Sequence, residues 1–305
     1  MINDYGKQYH KDKVMDKTGF REKARLHQSR FRTENVSKFY NNYGNMLCER
    51  DAAAGFNFYR EEFEILDAVK DVSKKYSEKL FANMLRSEHI PFNFFIPLER
   101  DKKFARILLN QFCNNTISEI RKIHIEHAPK EARKLLNDRT SFDTYIEYTH
   151  VDGGKGIFGI EVKYTEHGYE IGKKESELIS KEDSPYNKLT RESNIYKSDR
   201  IEELKIDSLR QIWRNQLLAE ACLRAPNLGI KHATLITFFP KGNSYYQNAC
   251  KRYSACFEHS SQSKFVAITY ESFIKKAKSI ASEERFIKWL NYLEERYIIK
   301  GNYDF

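Results

Sequence analysis

The most constraining stretch of this 305-residue chain is a pair of alternating segments around a glycine cluster. Phe142 to His150 reads FDTYIEYTH, Asp152 to Gly156 reads DGGKG, and Ile157 to Thr165 reads IFGIEVKYT. β-Branched and aromatic residues on both sides of a turn signal predict a β-hairpin. Side chains alternate across a strand, so Glu161 and Lys163 share one face, while Ile160 and Val162 take the other, where an apolar core receives them. Pairing Asp143 with Glu161 centres the turn at residue 152, and pairing it with Lys163 centres it at 153. Both registers stay open, because Gly153 and Gly154 can supply the positive φ either turn needs. In each register two acids and one lysine converge on one face.

The rest of the chain is mostly helical in pattern. Phe63, Leu66, Val69, Val72, Tyr76, Leu80 and Met84 predict a helix over 59–86. Ser87 reads as an N-cap, with Pro91 in the first turn of a short element through Phe95. Two further helices are expected over 101–111 and 116–127, the second closed by Pro129. Residues 173–200 read as a long polar loop with short helical pieces, and 207–224 as a helix ended by Pro226 and Gly229. Strands are predicted over 232–239 and 264–270, then a terminal helix over about 271–296. The fold class is therefore α/β, α+β-like in its segregated helices: one central mixed sheet flanked by helices, with extra helices at both ends. A basic arm over 1–58 is expected to pack on a single domain over 59–305.

Composition narrows the function. No run approaches the ~18 apolar residues of a membrane span, and MINDYGKQYHKDK lacks the apolar core of a secretory signal. Five cysteines without CxxC spacing argue against a disulfide framework or zinc ribbon, so a cytoplasmic home is expected. The net charge is +9, of which residues 1–38 carry ten Lys/Arg against five Asp/Glu. Such an arm suits phosphates, and it suits a solvated surface equally.

Two carboxylates, Asp143 and Glu161, with a strand carbonyl such as that of Val162, form a hard-oxygen set fit for Mg²⁺, with Mn²⁺ as a substitute. Such a metal polarises a phosphoryl oxygen and acidifies a bound water. Lys163 beside it can orient that water and stabilise charge on the phosphate. The chemistry is phosphodiester hydrolysis.

Asp143, seventeen intervening residues and Glu161-Val162-Lys163, followed by the helix LRQIWRNQLLAEA and the strand LITFF, resemble the PD-(D/E)XK nuclease superfamily. GIEVKYTE (Gly159 to Glu166) and SEHIPFNFFIPL (Ser87 to Leu98) are similar to a bacterial group described as restriction endonucleases. The likeness spans roughly 60–245, with Phe142 where the superfamily often has Pro. It implies a restriction-endonuclease-like core and a Mg²⁺-dependent endonuclease acting on DNA, in a restriction or anti-phage role. It also implies that Gln216 supports the site and that an upstream acid adds to it, with Glu88 preferred over Glu64 and Glu119. A nuclease specific for RNA or for branched or modified DNA, and a nucleic-acid-binding module that no longer cuts, are the competing readings. Double-strand cutting would favour a homodimer.

Arg210, Arg214, Lys155 and Lys241 are candidate phosphate contacts, Arg214 being equally suited to pair with Glu220 or another acid. Glu147 and Glu166 read as rim residues of the site. His124 and His127, three apart, read as a polar helix face rather than metal ligands. Tyr245 and Tyr246 read as a packed loop, and Cys250 and Cys256 as structural.

Overall fold

The computed structural model describes residues 5–12, 16–72, 77–166 and 172–299. Its helices are α1 (Phe20–Asn35), α2 (Glu49–Ala53), α3 (Ile65–Val72), α4 (Lys79–Ala82), α5 (Ile90–Arg100), α6 (Lys102–Asn110), α7 (Lys130–Leu136), α8 (Lys173–Ser180), α9 (Pro185–Ser193), α10 (Asp207–Arg224), α11 (Ser244–Ala255), α12 (Tyr270–Ile280) and α13 (Glu284–Tyr297). The strands are β1 (Ile117–His127), β2 (Phe142–His150), β3 (Lys155–Val162), β4 (Ile230–Phe239) and β5 (Phe265–Thr269), ordered 1-2-3-4-5 in one sheet. β1, β2 and β3 form an antiparallel meander, and β3, β4 and β5 run parallel, so the sheet is mixed as expected.

Alternation along the strands divides the core into two layers. Ile146, Phe158, Ile160, Val162 and Phe238 pack with α5, α12 and α13 on one face. Tyr145, Ile157 and Leu235 pack with α7, α10 and α11 on the other. The predicted burial of Ile160 and Val162 is thus met, and Glu161 and Lys163 turn toward α10. α5, carrying the NFF triplet, is buried almost throughout, with Phe94 and Phe95 against Phe238 and Phe273.

The hairpin takes the first of the two registers. Thr144 pairs with Ile160 and Thr149 with Lys155, centring the turn on Asp152, with Gly153 at φ +83°. Gly159 is required for a second reason. A Cβ placed on it would lie 2.2 Å from the Phe142 ring, which crosses the strand there. Gly159→Ala is therefore expected to cost about 1–3 kcal/mol, the usual penalty for overpacking. Phe142 precedes Asp143, so the strain falls on the strand that carries that carboxylate; urea unfolding of the variant against wild type checks the cost.

Several expectations are corrected. Residues 116–127 form strand β1, not a helix. Register shifts between Ile117 and Glu119 and between Ile120 and Lys122 insert an extra residue each time, so Ile117, Ile120 and Ile123 are buried three apart before Ile125 restores the alternation. Two β-bulges thus imitate a helical period. The single helix over 59–86 is replaced by α3 and α4: positive φ at Glu62, Phe63 and Glu64 keeps the chain out of a helix before Ile65, and Ser77 and Glu78 are not helical. Val69, Leu80 and Met84 are nevertheless buried, and Tyr76 lies outside the described residues. The terminal helix is two helices, parted where Ala281 turns extended at ψ 121°. Ser87 opens a 3₁₀ turn (Ser87–His89) without capping it. The 173–200 segment holds α8 and α9 and the start of a 3₁₀ stretch, Ser198–Lys205. Tyr246 sits on α11, buried against Phe239, rather than in a loop.

The N-terminal arm is built into the body. Gln28 of α1 donates to the Arg296 carbonyl of α13 and to the Tyr164 hydroxyl, one residue from Lys163. Arg25 is buried in an ion pair with Asp12, and Arg32 is buried with its guanidinium on the carbonyls of Tyr5, Ser37, Phe39 and Gly44. These two arginines of the basic arm are spent on the fold rather than offered to phosphates. No helix among the described residues is long and apolar enough to cross a membrane.

Candidate active site

The β2–β3 register, carried one residue beyond Thr144 and Ile160, sets Asp143 across from Glu161. The Asp143 carboxylate accepts the Val162 N–H at 2.7 Å through Oδ2. N–H and C=O of one strand residue point to the same edge, so the Val162 carbonyl faces the edge where Asp143 stands. Glu161, 4% exposed, accepts from Lys163 Nζ at 2.6 Å and from Gln211 Nε2 at 2.6 Å on Oε1, and from Asn215 Nδ2 at 2.5 Å on Oε2. Lys163 is held from behind: its N–H donates to the Phe238 carbonyl, and its carbonyl accepts the Tyr270 hydroxyl. The expected triad of Asp143, Glu161 and Lys163 is therefore assembled on one face.

The electrostatics are those of crowded carboxylates around one ammonium. Burial and the Glu161 charge push Asp143 well above the usual carboxylate range, with a further push from Glu126 and opposition from Lys163 and the Val162 N–H. Burial disfavours the Lys163 ammonium, but Glu161, Glu166 and Asp143 outweigh it and hold its pKa above the ordinary lysine value. Lys163 thus stays a cation and a donor, not a base.

The donor set fits a hard divalent cation. Asp143 Oδ1 and one lone pair of Glu161 Oε2 have no hydrogen-bond partner among the described residues, and with the Val162 carbonyl they supply only oxygen. Repulsion between the two carboxylates becomes attraction when such a cation lies between them.

Other expected residues fall differently. Gln216 makes no bond to the lysine; it is fully buried, and neither its Oε1 nor its Nε2 has a hydrogen-bond partner among the described residues. Residues 215 and 216 differ by about 100° around a helix, so only Asn215, with Gln211 one turn before it, faces Glu161. Glu88 is bound by Arg86 in a two-pronged ion pair beside Ser87, whose N–H donates to Glu166 at 3.2 Å. It therefore stands near the rim, whereas Glu64 pairs with Arg100 and Glu119 with Arg121 on the surface. Glu166 accepts the Tyr164 N–H at 2.7 Å, and its charge acts on Lys163. Glu147 pairs with Lys155 near the hairpin turn. Lys155 itself lies six residues along β3 from Glu161, about 20 Å away, so it is no neighbour of the site. Lys241 follows β4, parallel to β3, and so lies at the site's end of the sheet.

Arg210 pairs with Asp207 at 2.6 Å and donates to the Lys205 carbonyl. Arg214 pairs not with Glu220 but with Asp138, through Nε and Nη2 at 2.6 Å each. Burial acts to raise the Asp138 pKa, yet Arg214 and the Tyr186 hydroxyl hold it below the usual carboxylate range. A group lowered on folding stabilises above its unfolded pKa, near 4, and loses that contribution as pH falls through the folded value. Arg214→Met is expected to cost about 3 kcal/mol at neutral pH by leaving a largely buried carboxylate unpaired. Wild type and variant should converge in acid, and urea unfolding across pH checks the sign.

Two features were not anticipated. Glu126, near the end of β1, accepts from Ser141 and lies close enough to raise the Asp143 pKa. Its signal was hidden by the helical period of β1; once that segment is a strand, His127 pairs with Phe142 and its end must lie beside Asp143. A cavity of about 630 Å³ next to α10 is lined by Lys130, Arg133, Lys134, Arg139 and Arg214. The basic run 130–139 was its only trace in the sequence. His124 and His127 lie on β1 with rings stacked at 4.9 Å, not on a helix.

A sequence model described as the PD-(D/E)XK nuclease superfamily matches residues 12–299. No curated protein and no solved structure matches.

Proposed function

The chain belongs to the PD-(D/E)XK nuclease superfamily, and from that premise we propose that it is a Mg²⁺-dependent endonuclease acting on DNA, with its centre at Asp143, Glu161 and Lys163. The observation that carries this reading is the shared face: Glu161 bonded to Lys163, and Asp143 held at the Val162 backbone between them. A bound divalent cation supplies a Lewis acid and a water of lowered pKa. Asp143, Glu161 and the Val162 carbonyl would hold it.

The remaining work belongs to the chain's own groups. Gln211 and Asn215 fix the Glu161 carboxylate in one orientation, so the ligand needs no reorganisation. The Lys163 ammonium donates toward the attacking water and the charge growing on the phosphate. Glu126 acts on Asp143 and Glu166 on Lys163 from the rim, whereas Glu88 is engaged by Arg86. The net charge of +9 and the basic cavity along α10 favour a polyanion, with Lys241 and the surface of α7 as its contacts. Arg214 lines that cavity while paired with Asp138, and Arg210 is held by Asp207. A restriction role is proposed on the likeness to bacterial restriction enzymes, since fold alone does not fix biology. Because one such centre cuts one strand, breaking both strands together would favour a homodimer.

The test is cleavage of supercoiled plasmid with Mg²⁺ or EDTA, with RNA and branched DNA as competitors. Nicking or linearisation that needs Mg²⁺ supports the proposal. Cleavage of RNA alone reassigns the substrate, and salt-sensitive binding without cleavage under any metal overturns the activity.

A further inference from the structure

We propose that His150, Asp152 and His232 form a second cation site, for a first-row transition metal such as Zn²⁺, at the end of the sheet away from the nuclease centre. The three residues come from different parts of the fold: His150 ends β2, Asp152 lies in the turn, and His232 lies on β4 opposite Gly156 of β3. His150 Nδ1 lies 3.0 Å from Asp152 Oδ1, and His232 Nε2 lies 2.9 Å from Asp152 Oδ2. One donor atom from each residue falls within 4.8 Å of the others, and the imidazoles stack at 3.8 Å.

These spacings suit a metal. Zinc–nitrogen and zinc–oxygen bonds of about 2.0–2.1 Å put the ligand atoms of a tetrahedron roughly 3.3 Å apart. The rings stand nearly parallel and His150 Nδ1 accepts the Asp152 N–H at 3.2 Å, so binding requires one partly exposed imidazole to turn out of the stack and that hydrogen bond to yield. The backbone is bare where the ligands meet. A Cβ on Gly154 would lie 2.9 Å from Asp152 Oδ1 and 3.1 Å from His232 Nε2. The Gly154 N–H donates to Asp152 Oδ1 at 2.7 Å, orienting the carboxylate as outer-shell donors do. A cavity of about 270 Å³ lined by both imidazoles leaves room for water in the remaining coordination position.

Chemistry separates this site from the nuclease centre. Two imidazoles with one carboxylate select zinc or a neighbouring transition metal, whereas the oxygen-only set at Asp143 and Glu161 selects Mg²⁺. Five residues of β3 part Gly156 from Glu161, about 16 Å. An ion at the turn pins the hairpin to β4, so its effect is on stability.

Equilibrium dialysis of the full chain against Zn²⁺, with thermal unfolding in parallel, tests this. About one equivalent should bind and raise the unfolding midpoint. His150→Ala, His232→Ala and Gly154→Val should each weaken binding at least about 10–100-fold, while Glu161→Gln should leave it unchanged. His232→Gln repeats the test if the alanine variant unfolds in EDTA. No binding to wild type, binding undiminished in the histidine and Gly154 variants, or binding lost only in Glu161→Gln would each overturn the assignment. Because Mg²⁺-dependent cleavage is measured separately, failure here leaves the nuclease reading untouched.

Discussion

Glu161→Gln is expected to lower Mg²⁺-dependent cleavage by at least about 10³-fold, because it removes a metal ligand and the anchor of Lys163 together. The substitution keeps the side chain's shape but replaces a carboxylate oxygen with a donor. Gln211, Asn215 and Lys163 all donate to Glu161, so the new amide faces donors on both sides. Lys163 is left buried without a full counter-charge, which costs about 3 kcal/mol. Calorimetric titration with Mn²⁺ should show weakened binding, and single-turnover cleavage should show the lost rate. Retention of a tenth or more of wild-type cleavage by the folded variant would remove Glu161 from the mechanism.

Lys163→Met should reduce the single-turnover rate by about 10²–10³-fold, the usual effect of losing one preorganised donor to developing charge. Its effect on metal binding should be opposite to that of Glu161→Gln. Lys163 contributes no ligand, and its charge opposes a cation beside Asp143 and Glu161. Mn²⁺ affinity should therefore hold or rise in Lys163→Met while cleavage falls. A fall in affinity matching that of Glu161→Gln would show that Lys163 acts by building the site rather than on the reacting phosphate. The double variant should recover stability relative to Glu161→Gln without recovering cleavage.

How much of this was legible follows from local physics. The β2–β3 hairpin was readable because period-two alternation ran without interruption on both sides of a glycine turn, and that placed Asp143, Glu161 and Lys163 on one face. α10 emerged with its expected limits, Asp207–Arg224, since its helical period carries no proline or glycine. β1 was not readable, because two bulges gave its isoleucines a spacing of three. Glu126 went unseen with it. The glutamine on α10 was misassigned by a single position: a helix was legible, but its rotational phase against β3 is a tertiary property, and it turned Asn215 rather than Gln216 toward Glu161. The break between α12 and α13 carries no proline or glycine to announce it. The His150, Asp152 and His232 cluster depends on β3 pairing parallel to β4, which no local pattern reveals.

The proposed chemistry requires a divalent cation held between Asp143 and Glu161. Anomalous diffraction from a crystal soaked in Mn²⁺ addresses it directly. One anomalous peak is predicted within about 2–2.3 Å of oxygens from Asp143, Glu161 and the Val162 carbonyl, and it should vanish in Glu161→Gln. A crystal that shows Mn²⁺ only at the far end of the sheet, or carboxylates that stay bonded to Lys163 with no peak between them, would contradict it.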